Sequence, residues 1–415
     1  MTILQANKFH YVKGGAERYY LDVSRLLAGG GHTVVPFAME DRRNEPTPYA
    51  RWFVRGVDYR GRLGLAARAR EALRAIDSAE TMRKAAALVA ETRPAVAHLH
   101  NIYHQLSPSL ITALDRCGVP MVQSLHDYKI ICPGYLLMTH GEICERCKGG
   151  RYFNAVLHKC LLDSTPASIV GWIEATLHAR RGTYGKVARF LCPSRFLLEK
   201  FAEFGVPREK LVHFPYFLPL DDYAPAYAPA DYFIYLGRLS REKGIATLLQ
   251  ALRERSGTRL TCRILGEGPL EGELKRRAAE WKLGRVEFSG YLQGEALQRA
   301  IREAAFTVVP SEWYENLPFS VLESFALGTP VVGSRIGGIP EMVLDRETGL
   351  TFAPGEATEL AAAIDWMEAH PSEAVEMGRR ARRMDEERYA PEPHLRRLVE
   401  LYREVIAAAA PAGVG

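Results

Sequence analysis

Short apolar runs alternate with amphipathic segments along nearly the whole chain of 415 residues, and that alternation leaves few folds open. In the first half the runs are TILQA (2–6), HTVVPFA (32–38), AVAHLH (95–100), VPMVQSLH (119–126), GKVARFLCP (185–193) and Leu211 to Phe214. In the second half they are YFIYL (232–236), Thr258 to Leu265, Val286 to Phe288 and FTVV (306–309). Each is too short for a helix and reads as a buried strand, and several intervening segments show the helical period. Strand–helix–strand repetition implies parallel sheets covered by helices on both faces. Such a length exceeds one core. Residues 217–230 (FLPLDDYAPAYAPA) carry no period and read as the linker between a domain at 1–216 and another at 231–385. A last helix is expected over Glu392 to Ala409.

Composition excludes more than it selects. Hydrophobic residues make up 47% and charged residues 25%, ordinary for a globular protein. No apolar run approaches a membrane span. The opening MTILQANKFHYVKGG lacks the basic-then-apolar order of a signal peptide, so a cytoplasmic protein is expected. Seven cysteines, an odd number, argue against a secreted disulfide scaffold. Charge is unevenly spread: residues 1–200 hold 28 Lys and Arg against 17 acids, and the rest hold 26 against 32. A basic first half would be drawn to an anionic membrane surface or a lipid phosphate, unless it is simply a solvated face. Residues 60–92 read as one helix carrying Arg60, Arg62, Arg68, Arg70, Arg74, Arg83 and Lys84, either a surface helix or one lying on a membrane. No nucleic-acid partner is expected.

The stretch PSEWYENLPFSVLE (310–323) links the strand FTVV to a helix, FSVLESFAL. Pro318 fits the first helical turn, where a missing N–H costs nothing. Unpaired N–H groups and the positive helix end then face out of the sheet edge, which suits a phosphate. Glu315 and Glu323 beside such a site make sense if they bind hydroxyls, as a sugar offers. Lys13-Gly14-Gly15 forms a second strand-to-helix turn, with glycines that permit close approach to a ligand. His100-Asn101 and His126-Asp127 close two strands at the sheet edge where open α/β folds bind ligands. Cys132, Cys144, Cys147 and Cys160 have the spacing of a four-thiolate zinc site in an insert at 128–165, with an iron–sulfur cluster, disulfides or ordinary thiols the alternatives.

Glu315 and Glu323, seven residues intervening, followed by GTPVV (Gly328 to Val332) and GGIPE (Gly337 to Glu341), resemble the family-4 glycosyltransferases. The resemblance implies the α/β GT-B fold: two Rossmann-like, doubly wound parallel-sheet domains facing across a cleft. The first would bind the acceptor, the second the nucleotide sugar, and the C-terminal helix (386–415) would cross back onto the first. It implies retaining transfer from a UDP- or GDP-linked sugar to a hydroxyl acceptor, a saccharide or lipid-linked glycan of cell-surface polysaccharide synthesis, at the inner membrane face or free in the cytoplasm. His126, Arg238, Lys243 and Glu315 are then the expected catalytic set. Gly14, Gly15, Gly237, Gly266, Tyr291, Leu292, Asn316, Leu317, Pro318 and Glu323 would hold the donor, and His100, Asn101 and Asp127 the acceptor side. No D-x-D triplet occurs, so Arg238 and Lys243, rather than a bridging metal, are expected to neutralise the diphosphate. The alternatives are a GT-B sugar-nucleotide epimerase or a non-catalytic nucleotide-sugar-binding subunit.

Overall fold

The computed structural model describes residues 1–56, 65–255 and 259–410. The first lobe runs β1 (Thr2–Ala6), α1 (Gly15–Gly29), β2 (Thr33–Phe37), α2 (Leu65–Ile76), α3 (Ala79–Thr92), β3 (Val96–Leu99), α4 (Ser109–Arg116), β4 (Met121–Ser124), the hairpin β5 (Met138–Thr139) and β6 (Glu142–Ile143), α5 (Asn154–Leu157), α6 (Thr165–Arg180), β7 (Arg189–Cys192), α7 (Arg195–Glu203) and β8 (Leu211–His213). The second runs β9 (Tyr232–Leu236), α8 (Ile245–Glu254), β10 (Thr261–Leu265), α9 (Glu271–Glu280), β11 (Val286–Gly290), α10 (Gly294–Arg302), β12 (Thr307–Val309), α11 (Phe319–Ala326), β13 (Val331–Ser334), α12 (Ile339–Met342), β14 (Gly349–Phe352), α13 (Ala357–Ala369) and α14 (Pro371–Arg388). A last helix, α15 (Pro391–Ala409), follows.

Each lobe holds a six-stranded sheet, ordered β2-β1-β3-β4-β7-β8 in the first and β11-β10-β9-β12-β13-β14 in the second. Every pairing within them is parallel. β3, β4 and β13 are buried throughout, as strands covered on both faces must be. In each sheet the chain builds outward from its first strand, then returns to that strand's other side. The order therefore switches between β1 and β3, and again between β9 and β12 (Tyr235 opposite Val308). Ligands of open α/β sheets bind outside the strand ends at such switches.

One expectation needs correction. The helix read over 60–92 is two helices, broken at Asp77-Ser78, where the Ser78 side chain accepts from the Thr81 N–H and starts a new one. Of its basic residues, Arg60, Arg62 and the Arg68 side chain lie outside the described part, while Arg74 pairs with Glu71 and Glu80. The segment expected as the linker is packed. Phe217, Leu218 and Tyr223 are buried in an apolar cluster shared by both lobes. The Leu218 N–H donates to the Tyr389 carbonyl (3.1 Å) and Arg382 donates to the Tyr223 carbonyl (3.0 Å). Beyond Tyr389 the chain returns to the first lobe, where α15 packs on α1, β3 and β4. Tyr402 meets His98 there at 2.7 Å.

Asp385, on α14 just before that return, is fully buried, and neither carboxylate oxygen has a partner among the described residues. Burial pushes its pKa up to about 8 from 3.8. A carboxyl whose folded pKa is raised costs stability as pH rises from its unfolded value to its folded one, because unfolding releases a proton that the fold retains. Melting temperature should therefore fall between about pH 4 and pH 8 for this reason, and Asp385→Asn should flatten that slope and melt higher at pH 8. Identical slopes in the two proteins would show that Asp385 is not held protonated.

Candidate active site

The two switch points face each other across one cleft, a cavity of about 1050 Å³ lined from both lobes. His126, Arg238, Lys243 and Glu315 line it, and so do Gly14, Gly15, Gly237, Gly266, Tyr291, Leu292, Asn316, Leu317, Pro318 and Glu323. His100, Asn101 and Asp127 do not.

The second lobe supplies the charge. β12 ends at Val309, the chain turns through Pro310 to Leu317, and Pro318 (φ −70°, ψ 125°) stands just before α11. No side chain caps that helix end, and Phe319 and Ser320 line the cavity. Its first N–H groups are thus aimed at a ligand with the positive end of the helix behind them. Glu315 is buried, and its Oε1 accepts from Lys243 Nζ (2.6 Å) and from Ser311 Oγ (2.6 Å). Arg238 is exposed and pairs with no carboxylate among the described residues. Asn316 Oδ1 and Trp313 Nε1 are buried without partners, polar atoms that the fold itself leaves unsatisfied.

The turn keeps its shape because Gly337 and Gly338 press against it. The Gly338 N–H donates to the Glu315 carbonyl (2.7 Å), and Gly337 adopts φ +61° where a Cβ would come within 2.3 Å of that oxygen. Three residues on, Glu341 reaches the other lobe. Its carboxylate accepts from the backbone N–H groups of Arg195 (2.9 Å) and Phe196 (2.7 Å), so it caps α7 from across the molecule.

The first lobe contributes a column of rings. His98 stacks on His100 (4.3 Å), His100 on His126 (5.3 Å), His126 on Tyr216 (5.6 Å) and Tyr216 on Phe319 of α11 (5.2 Å). Burial lowers the His126 pKa to about 3, so its imidazole is neutral at physiological pH. Both ring nitrogens are engaged, Nε2 with His100 (3.0 Å) and Nδ1 with the Tyr216 hydroxyl (2.7 Å). The His126 carbonyl accepts from Asn316 Nδ2 (2.7 Å), which ties the two lobes at the cleft. His100 has no solvent face: it lies behind His126 with Nε2 on Gln5 (2.8 Å). Asn101 is likewise buried. Both therefore stand behind the cleft surface, since a strand end can belong to the site's wall without reaching its surface.

Arg18 was missed by the sequence reading. It stands on α1 one turn after Gly15, the spacing that puts it on the face of the glycine turn. Its guanidinium crosses the cleft to the Glu323 carboxylate and the Tyr223 hydroxyl. A basic residue three positions beyond a Gly-Gly turn was the available signal. Gly15 makes this closeness feasible, since a Cβ there would lie 2.9 Å from the Phe319 ring.

The structure does not support the zinc site. Cys132, Cys144, Cys147 and Cys160 approach closely enough to perturb one another, yet among the described residues no group of three His, Cys, Asp or Glu is arranged to hold a metal ion. All four are free thiols. Burial pushes Cys132 up to about 11 and Cys147 up to about 12. The insert is held by other means. Lys129 forms a buried 2.6 Å ion pair with Glu174 of α6, and Tyr128 donates to the Tyr314 carbonyl (3.0 Å) in the second lobe.

Two parallel six-stranded lobes facing across a cation-lined cleft define a GT-B protein. The Glycosyl transferase 4-like domain model matches residues 14–216, and the Glycosyl transferases group 1 model matches residues 225–384. The chain belongs to the GT-B glycosyltransferases of this group 1 and 4-like type. It is 37% identical to glycogen synthase of Mycobacterium tuberculosis over 163 residues, 38% of each chain. To D-rhamnosyltransferase WbpZ of Pseudomonas aeruginosa it is 34% identical over 36% of this chain and 39% of that one. The chain thus spans under two fifths of the length of these curated relatives. Sucrose-phosphate synthase of Thermosynechococcus elongatus shares the fold with a TM-score of 0.72 at 21% identity, covering 98% of this chain and 99% of that one. Anabaena Alr3699/HepE in complex with UDP-glucose does so with 0.69 at 16% identity, covering 97% and 100%.

Proposed function

We propose that this protein transfers a sugar, with retention at the anomeric carbon, from a nucleotide-diphosphate donor to a hydroxyl acceptor of a saccharide or glycolipid. The reading rests on one observation: Arg238, Lys243, the α11 N-terminus, Glu315 and Glu323 all line the same cleft. Negative charge grows on the leaving β-phosphate as the sugar's C1–O bond breaks. Arg238, Lys243 and the helix amides stabilise it from fixed positions in a partly desolvated site. Glu315 keeps Oε1 on Lys243 and Ser311 and offers Oε2 to a sugar hydroxyl. Glu323 takes the ribose hydroxyls, and the base lies near Tyr291 and Leu292. The acceptor oxygen attacks C1 from the face the phosphate leaves, and its proton passes to the departing phosphate. His126, neutral and bonded at both nitrogens, positions the cleft wall.

A UDP-linked donor is favoured because the HepE neighbour is described in complex with UDP-glucose. Thermal melting against UDP, GDP and their common sugar conjugates should single out one nucleotide by a rise in Tm, since a ligand that binds only the fold stabilises it by mass action. That conjugate should also release its nucleoside diphosphate slowly without acceptor. A chain that no nucleotide stabilises, and that hydrolyses no donor, would refute the reading.

A further inference from the structure

Eleven large apolar side chains are conspicuously exposed among the described residues, and six of them fall within residues 153–173: Phe153, Leu157, Leu162, Ile169, Trp172 and Ile173. Such concentration in one short segment departs from the single scattered apolar residues that any surface carries. The segment is a helical hairpin. α5 packs on α6, and Leu161 in the turn between them closes on Gly171. α6 buries Ser168, Gly171, Glu174 and His178 and turns Ile169, Trp172 and Ile173 outward. Its polarity is thus inverted for a surface helix: the polar side chains face the protein and the large apolar ones face out. At the turn, Leu162 and Asp163 take positive φ (55° and 49°), and Leu162 is 82% exposed, the largest value of the eleven.

Charge decides what this face is built to meet. Residues 146–181 hold six Lys and Arg against two acids, Asp163 and Glu174, and Glu174 is already buried against Lys129. Arg146, Arg151, Lys159 and Arg180 pair with no carboxylate among the described residues. α2, which packs on α6, adds exposed Arg70 and Leu73. Large exposed apolar and aromatic side chains in a segment that also carries unpaired cations match an anionic bilayer, where the apolar groups enter the acyl boundary and the cations meet headgroup phosphates. A protein partner would have to supply an acidic rim around an apolar pocket. No helix among the described residues is long and apolar enough to cross a membrane, so attachment here is to its surface.

We propose that the α5–α6 hairpin is a membrane-docking surface that binds the face of an anionic lipid bilayer. The cysteine-bearing insert that leads into it also touches the second lobe: Tyr314 donates to Glu145 (3.1 Å), and Arg241 lies against Gly141. Docking requires neither donor nor turnover and stands or falls apart from the transfer reaction.

The test is flotation of the intact protein with phosphatidylglycerol–phosphatidylcholine vesicles and with phosphatidylcholine alone. Binding is expected to the anionic vesicles only, to weaken as salt rises, and to shift Trp172 emission to the blue. The double variant Leu162→Glu/Trp172→Glu should bind about tenfold more weakly or worse. Lys159→Glu/Arg180→Glu should lose the salt-sensitive part. These positions are exposed, and unchanged melting of each variant confirms its folding. Absence of wild-type binding, or binding equal in wild type and both variants, would overturn the proposal. So would a dimer in sedimentation equilibrium that the apolar variant disperses, since the face would then belong to a second copy.

Discussion

Lys243→Ala should lower kcat for sugar transfer about 10²- to 10³-fold at saturating donor, the scale on which loss of one pre-aimed charge-stabilising group is felt. Two losses combine. The leaving diphosphate loses a fixed cation, and Glu315 loses the partner that holds its Oε1 at 2.6 Å and thereby aims its other oxygen. Stability should fall too, by about 1–3 kcal/mol, because a buried carboxylate keeps only Ser311 as a charge-neutral donor. The rate and the melting point must therefore be measured together. Lys243→Arg restores the charge but spreads it over a planar fork, and should recover only part of the rate. A variant that melts normally and keeps kcat within about threefold of wild type would remove Lys243 from the proposed role.

Arg18→Met should raise the donor KM about tenfold and loosen the cleft, with a melting loss of about 2–3 kcal/mol, below the full cost of breaking a buried pair because Arg18 is partly exposed. Methionine keeps most of the packing against Phe319, so the effect isolates the charge. Glu323 is largely buried and would lose its cation, and the first lobe would lose its hold on the second. A small-angle scattering profile should show a larger radius of gyration in the variant, and UDP should restore less of it than in wild type. An unchanged donor KM with an unchanged profile would mean that Arg18 neither orients Glu323 nor holds the lobes.

What the sequence made legible follows from the range of the forces involved. The strand–turn–helix at Val309 to Phe319 could be read because its signals are local: an apolar run, a proline at a helix start, acids at fixed spacing. The partner of each group could not. Nothing near Glu341 in sequence indicates that it caps a helix about 145 residues earlier, and nothing near Arg18 points to Glu323. Such pairings are set by how the lobes meet. His100 and His126 look equivalent as strand-end histidines, yet one is a wall of the cleft and the other lies behind it, since depth within a sheet edge leaves no local mark. The cysteines show the opposite case, where spacing suggested a ligand set that the described residues do not support. The docking face was hidden for a further reason. Nothing local to α6 marks which of its sides the neighbouring elements leave uncovered.

The chain passes between its lobes twice, through the segment after Tyr216 and again after Tyr389, and the two passages are joined by the Leu218–Tyr389 backbone hydrogen bond. Two tethers fastened at a common point resist twisting and sliding far more than they resist bending. The inexpensive motion of the second lobe is then a swing about that point, which would part Arg18 from Glu323 and Glu341 from α7 together and return them to the same register. A nucleotide could enter and leave by such a swing without either lobe having to find its counterpart anew.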